Sequence, residues 1–197
     1  MTIRLILAIS ALLLVSTAAV AQRPGPEFWR RVTCEPFEPR TKLEALEMRY
    51  NTVLVKGFTR ITTVEISGVR IDAVDLRDAH TNARAMGLII SVLDARPNER
   101  PQENRAMIDY DDIDEFVRAV DTVAKVSETT TKLPGFEARY KTMGDLELVV
   151  FRQTRSGTAV TLTAGLCDKV TQSLTLDELA KFRAMIVEAK TRLDELK

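Results

Sequence analysis

Two blocks of hydrophobic positions, each followed by a helical pattern, organise most of the chain. In the first block, short runs rich in Val and Ile are separated by Gly57, by Ser67-Gly68 and by a polar stretch at 78–83. Runs of this kind between turn residues predict β-strands. The predicted strands span residues 53–55, 61–66, 69–76 and 85–93, and an exposed loop is predicted at 95–103.

The second block alternates more strictly between apolar and polar residues. Met143-Gly144-Asp145 and Ser156-Gly157 provide turns between its runs. Because side chains alternate across a strand, this pattern predicts an antiparallel meander with one buried face. The predicted inward-facing residues are Phe136, Ala138, Tyr140, Leu146, Leu148, Val150, Val160, Leu162, Ala164 and Leu166.

Each block ends in a helix start. At the first, we expect Asp109 at the N-cap and Asp112 near the third helical position, with the helix reaching about residue 126. At the second, Thr175 and Glu178 form a capping box. The helix that follows carries an apolar stripe at spacings of three and four, which predicts packing on the sheet; a short coiled-coil seam, and hence a homodimer through this C-terminal helix, is the alternative. The stripe comprises Leu179, Phe182, Ile186, Ala189, Leu193 and Leu196.

The two helix starts align at an offset of 66 residues, from Ile108 to Phe116 and from Leu174 to Phe182. This alignment suggests a repeat of a meander-plus-helix unit, at 41–126 and 133–197. Coincidence is the alternative, because capping boxes recur for local physical reasons. We predict a single α+β domain at 41–197: an antiparallel β-meander sheet or a partly closed barrel, in two strand-block-plus-helix units, with the C-terminal helix packed on the sheet.

The first 21 residues match a secretory signal peptide. Arg4 supplies a positive charge, an apolar run follows, and Ala19-Val20-Ala21 ends it with small residues. The run is short for a membrane span of about 20 residues. We therefore expect cleavage after Ala21, no transmembrane segment in the mature chain, and a periplasmic or extracellular location. Residues 22–40 contain four prolines and are expected to form an extended arm.

Cysteine and charge content refine this expectation. Cys34 and Cys167 both remain after cleavage, and an even count in an exported chain predicts one disulfide, with two free thiols as the alternative. The mature chain has 27 basic and 28 acidic side chains. Such a balance gives no general attraction to nucleic acid or to anionic membranes.

The chain offers little catalytic chemistry by residue type. His80 is its one histidine, which is too few for a zinc site with several imidazoles, and no serine lies in a nucleophile-elbow turn. We expect His80 to be an exposed loop residue. Phosphate-binding loops, dinucleotide fingerprints and CxxC motifs do not occur, so no cofactor is predicted.

An acidic cluster begins the first long helix, and it consists of Asp109, Asp111, Asp112, Asp114 and Glu115. It departs from the EF-hand pattern, because Ile113 occupies a ligand position and Asp114 stands where glycine is required. Acids in a first helical turn are expected from capping and from the helix dipole. Weak calcium binding and a carboxylate-dependent hydrolase are the alternatives.

Two motifs resemble a known group of proteins. Ile108-Asp-Tyr-Asp-Asp-Ile-Asp-Glu-Phe116 and Leu174-Thr-Leu-Asp-Glu-Leu-Ala-Lys-Phe182 are similar to segments of small exported bacterial proteins. The resemblance implies a bacterial envelope or extracellular setting. Its motifs are caps and turns, so it implies no catalytic residue.

These observations favour a non-enzymatic binding or interaction module of the cell envelope, whose partner is an envelope protein. The first alternative is a carrier of a small apolar ligand inside the curved sheet, which would be lined by Leu146, Leu148, Val150, Val160 and Leu162. The second alternative is the hydrolase that uses the acidic cluster.

Overall fold

The computed structural model describes residues 38–95, 100–126, 130–131, 133, 135–152 and 157–197. The predicted signal peptide, most of the predicted arm and Cys34 lie outside these residues, and so do parts of three loops. The interpretations that concern them stay predictions.

The described chain forms two antiparallel four-stranded sheets, each followed by a helix. In both sheets the strand order equals the chain order, β1-β2-β3-β4 in sheet 1 and β5-β6-β7-β8 in sheet 2. The elements of the first unit are α1 (Lys42–Glu47), β1 (Leu54–Arg60), β2 (Val69–Asp78), β3 (Arg84–Asp94), β4 (Gln102–Asp109), a 3₁₀ helix (Tyr110–Asp112) and α2 (Ile113–Lys125). Those of the second are β5 (Phe136–Lys141), β6 (Leu146–Arg152), β7 (Thr158–Ala164), β8 (Val170–Leu174) and α3 (Leu176–Asp194).

This architecture confirms the predicted α+β class and the two meander-plus-helix units. Neither sheet closes into a barrel. The C-terminal helix begins as predicted, since Thr175 Oγ1 accepts a hydrogen bond from Glu178 N at 3.1 Å and Glu178 Oε2 accepts one from Thr175 N at 2.8 Å.

Several elements of sheet 1 differ from the sequence prediction. The strand predicted at 61–66 is wrong: this segment is irregular and makes one isolated bridge, between Ile66 and Val69. Gly57 does not end a strand but lies inside β1, and β4 begins within the predicted loop. Helix α1 was not predicted, although Thr41 and Glu44 form a capping box at its start.

Burial explains why the two blocks differ in pattern. The inner faces of both sheets, α2 and α3 share one continuous core. The opposite face of sheet 1 is covered by α1, through a second cluster that includes Leu43, Leu46, Val74 and Ile89. Strand β3 therefore has apolar residues on both faces and loses the alternation, and β2 changes its buried face between Ala73 and Val74. Sheet 2 buries one face and keeps the alternation.

The apolar stripe of α3 lies in this shared core. Leu179, Phe182, Ile186, Ala189 and Leu193 are all buried, whereas Leu196 is exposed. The ring of Phe182 meets that of Phe116 edge to face, with centroids 6.0 Å apart. The predicted packing of the stripe on the sheet is confirmed, and no helix among the described residues is long and apolar enough to span a bilayer.

Candidate functional site

The structure divides the acidic cluster among several local roles. Asp109 ends β4 and occupies the predicted N-cap position, at the start of the 3₁₀ helix Tyr110–Asp112 that leads into α2, but its side chain makes no capping hydrogen bond there. Its buried carboxylate caps α1 instead, where Oδ2 accepts from Lys42 N at 2.7 Å and Oδ1 from Leu43 N at 3.0 Å. Asp112 occupies the N-cap position of α2 but makes no capping hydrogen bond with its side chain.

The other acids of the cluster are split between surface ion pairs and a cleft. Asp111 accepts a hydrogen bond from Lys42 Nζ, and this bond lowers the pKa of Asp111. Asp114 Oδ1 lies 3.6 Å from Lys190 Nζ. Within the described ranges, no group of three or more acidic, histidine or cysteine side chains is arranged to hold a metal ion.

Asp112 and Glu115 share a cleft of about 250 Å³ with Phe116, Tyr140 and Met143. Partial burial and the negative charges of Asp109 and Glu115 raise the pKa of Asp112. Burial and the charge of Glu115 likewise raise the pKa of Tyr140. The cleft therefore places two carboxylates beside the ring of Tyr140.

His80 is exposed in the turn between β2 and β3, as predicted. The polar groups around it form hydrogen bonds that stabilise the turn. The backbone N–H of His80 donates to Asp78 Oδ1 at 2.8 Å, and Thr52 Oγ1 donates to the same oxygen at 2.7 Å. Arg49 pairs with the other oxygen at 2.9 Å. The hydrogen bond from Thr52, with those from the turn, holds the pKa of the buried Asp78 well below its usual range.

The residues assigned to a carrier cavity fill the core instead. Leu146, Leu148, Val150, Val160 and Leu162 are at most 1 % exposed, and none of them lines the cleft that contains Asp112 and Glu115. Cys167 follows β7, but Cys34 lies outside the described residues, so their disulfide remains a prediction.

Strand β1 combines an outer backbone edge with exposed apolar side chains. It is an outer strand of sheet 1, and within the described part of the chain it pairs only with β2. Its residues after Leu54 are all exposed, including Val55 at 56 % and Phe58 at 61 %. The segment before it adds the exposed Tyr50 and Val53, so a backbone edge and apolar side chains coincide here.

The pairing of β1 with β2 shows which backbone groups face outward. Ile61 N donates to Ile71 O, and Ala79 N donates to Val53 O. In the register of this pair, residues 53 and 61 therefore direct their polar groups toward β2. Because this direction alternates along an antiparallel strand, residues 54, 56, 58 and 60 present their N–H and C=O groups to the free edge.

A second cleft, of about 440 Å³, adjoins this edge. It is lined by Gly57, Phe58 and Thr59 of β1, by Leu193 of α3 and by Leu196, which follows that helix. Hydrophobicity at positions 53, 55 and 58 was visible in the sequence. The position of the strand at the margin of the sheet was not, because strand order is a property of the assembled sheet.

No family model, no curated protein and no solved structure matches this chain. The resemblance to small exported bacterial proteins accordingly stays a prediction.

Proposed function

We propose that this protein is an exported, non-enzymatic interaction module, which binds an extended segment of a partner protein by adding it as a strand to β1. The observation that carries the proposal is the seven-residue outer strand, which combines outward-facing backbone groups with exposed apolar side chains. The exported location in this proposal rests on the signal-peptide pattern of residues 1–21.

The physical basis is the cost of an open sheet edge. An outer strand presents a row of unpaired N–H and C=O groups, and proteins usually protect it with short length, charge, proline or covering elements. Strand β1 contains no proline, and its charged residues Lys56 and Arg60 are paired with acids of the same chain. Within the described residues, Val55 and Phe58 remain exposed beside open backbone groups. An added strand would take up these groups while its side chains contact the apolar ones, which is how strand-addition domains bind peptides.

The test compares two outer strands, β1 of sheet 1 and β5 of sheet 2, by one matched substitution in each. Lys56→Pro removes an outward N–H from β1, and outer strands tolerate proline at such positions. The control is Arg139→Pro in β5. Thr142 N donates to Leu146 O, so alternation directs the N–H of Arg139 away from β6.

The probe is a displayed library of nine-residue peptides, selected on the chain purified from its producing cells. We expect peptides of alternating apolar character whose binding weakens at least tenfold with Lys56→Pro and is unchanged with Arg139→Pro. The intact mass of the same sample reports whether the first 21 residues have been removed. Failure to select any peptide, or equal binding to the two proline variants, would contradict the proposal.

A further inference from the structure

We propose that the strand added to β1 is β1 of a second copy of this chain, so that two sheets join into one eight-stranded sheet across a two-fold axis. This inference rests on the proposed function, since it names the partner of the same edge. In the pairing we propose, Gly57 lies opposite the partner's Gly57.

Two-fold symmetry restricts how β1 can pair with itself. An axis perpendicular to the sheet keeps each side chain on its own face, so one residue must lie opposite its own copy. With the axis at Gly57, Lys56 lies opposite the partner's Phe58, and Leu54 lies opposite the partner's Arg60. All four residues whose backbone groups face the free edge are then in hydrogen-bonded pairs.

Neighbouring registers are less favourable because of charge. An axis at Lys56 places two lysines opposite each other, and an axis at Phe58 places Lys56 opposite the partner's Arg60. Like charges in directly opposed positions destabilise a strand pair. Axes at Val55 or Thr59 avoid these pairs, but they leave part of the seven-residue strand without a partner.

The charges of β1 are also compensated within one protomer. Lys56 Nζ lies 3.5 Å from Glu47 Oε1, and Arg60 Nε lies 3.1 Å from Asp72 Oδ1. Two copies of this strand can therefore approach without facing uncompensated positive charge. Opposite Lys56, the exposed ring of the partner's Phe58 would cover the aliphatic stem of the lysine.

The central residue suits a close approach of two backbones. In antiparallel sheets, pairs without mutual hydrogen bonds have Cα atoms only about 4.5 Å apart. The backbone N–H and C=O groups of Gly57 point toward β2. Gly57 and the partner's Gly57 would therefore lie opposite each other without hydrogen bonds between them. A single strand pair of this length buries less surface than the roughly 1,600 Å² of a standard interface. We therefore expect a weak dimer whose formation depends on protein concentration.

Crosslinking with Gly57→Cys tests the register. A Cβ at position 57 has ordinary van der Waals contact, 3.7 Å from the carbonyl oxygen of Asp75, so the substitution fits the fold. We expect the introduced cysteines of two copies to form a disulfide at least tenfold faster than in Val55→Cys or Thr59→Cys, where the two copies are too far apart in this register. Peptide mapping distinguishes this bond from any that involves Cys34 or Cys167.

Molecular mass by light scattering tests the dimer itself. We expect a twofold rise in mass with increasing concentration, lost in Lys56→Pro and kept in Arg139→Pro. A rise that survives Lys56→Pro would place the contact elsewhere, for example on α3, and overturn the inference. A monomer at every concentration would also overturn it; peptide binding sensitive to Lys56→Pro would then show that the proposed function still stands.

Amide exchange supplies an independent check on the edge. In a monomeric sample, the N–H groups of Lys56 and Phe58 should exchange quickly, whereas those of Gly57 and Thr59 should be protected by β2. Protection of Lys56 and Phe58 in the monomer would mean that the chain itself already covers the edge, which would overturn the inference.

Discussion

At the residue scale, Asp109 was predicted to cap a helix, but the helix that its side chain caps is α1. Its position before a helical pattern suggested a cap for the next helix. The carboxylate instead accepts hydrogen bonds from Lys42 N and Leu43 N, while Thr41 Oγ1 accepts one from Glu44 N. The first three N–H groups of α1 are thus satisfied, two of them by a residue that lies far along the chain.

Asp109→Ala should lower the free energy of unfolding by about 1–3 kcal/mol, because it removes a cap and leaves two amides of α1 without their acceptors. The control is Asp111→Ala, whose solvent-exposed pair with Lys42 should contribute much less to the free energy of unfolding. Denaturant unfolding of both variants measures the difference. Equal losses would contradict the assignment of Asp109 as the cap of α1.

At the element scale, the turn between β5 and β6 is joined to β4 by backbone contact. Met107 N donates to Gly144 O at 3.0 Å. A Cβ on Gly144 would lie 1.9 Å from the carbonyl oxygen of Met107, so this approach requires glycine. The turn was predicted from Met143-Gly144-Asp145, whereas its contact with the other sheet was not, because nothing local encodes a neighbour that close.

Gly144→Ala should be strongly destabilising, by about 2 kcal/mol or more, since the clash involves backbone that cannot rotate away. Gly57→Ala provides the matched control, because its Cβ meets only ordinary contact, and we expect its effect to stay within about 1 kcal/mol. Thermal unfolding compares the two. Similar melting temperatures would show that the junction tolerates a side chain.

At the scale of the whole molecule, both units are held by one core. Buried residues of the two sheets and of α2 and α3 form a single cluster. The guanidinium of Arg183 on α3 donates from Nη2 to Asp121 Oδ2 on α2 at 2.9 Å, at the margin of this cluster. We therefore expect the two units to unfold together, although each unit has its own four strands and its own following helix.

Phe182→Ala tests this cooperativity, because its ring lies in the shared core. We expect a loss of about 3–5 kcal/mol, with amide protection falling together in β2, β3, β6 and β7. Leu176→Ala, at an exposed position of the same helix, should cost about 0.5 kcal/mol or less. Protection that falls in sheet 2 alone would mean that the units are stable independently.

The sequence by itself determined the elements whose signals are local. The capping box of Thr175 and Glu178, the alternation of sheet 2 and the exposure of His80 depend on residues within a few positions of each other. It failed where local signals conflict with tertiary demands: the β-branched run at 61–66 is irregular, and α1 is a short helix that owes part of its capping to Asp109.

Only the tertiary structure decided which side chains meet and which strand lies at the margin. The acidic cluster could be recognised in the sequence, but Asp109 caps α1 whereas Asp112 and Glu115 line a cleft. The binding role proposed for β1 depends on strand order and on the direction of its backbone groups. These properties follow from pairing between distant segments, whose free energy is gained only when the whole sheet assembles, so no local pattern could specify them.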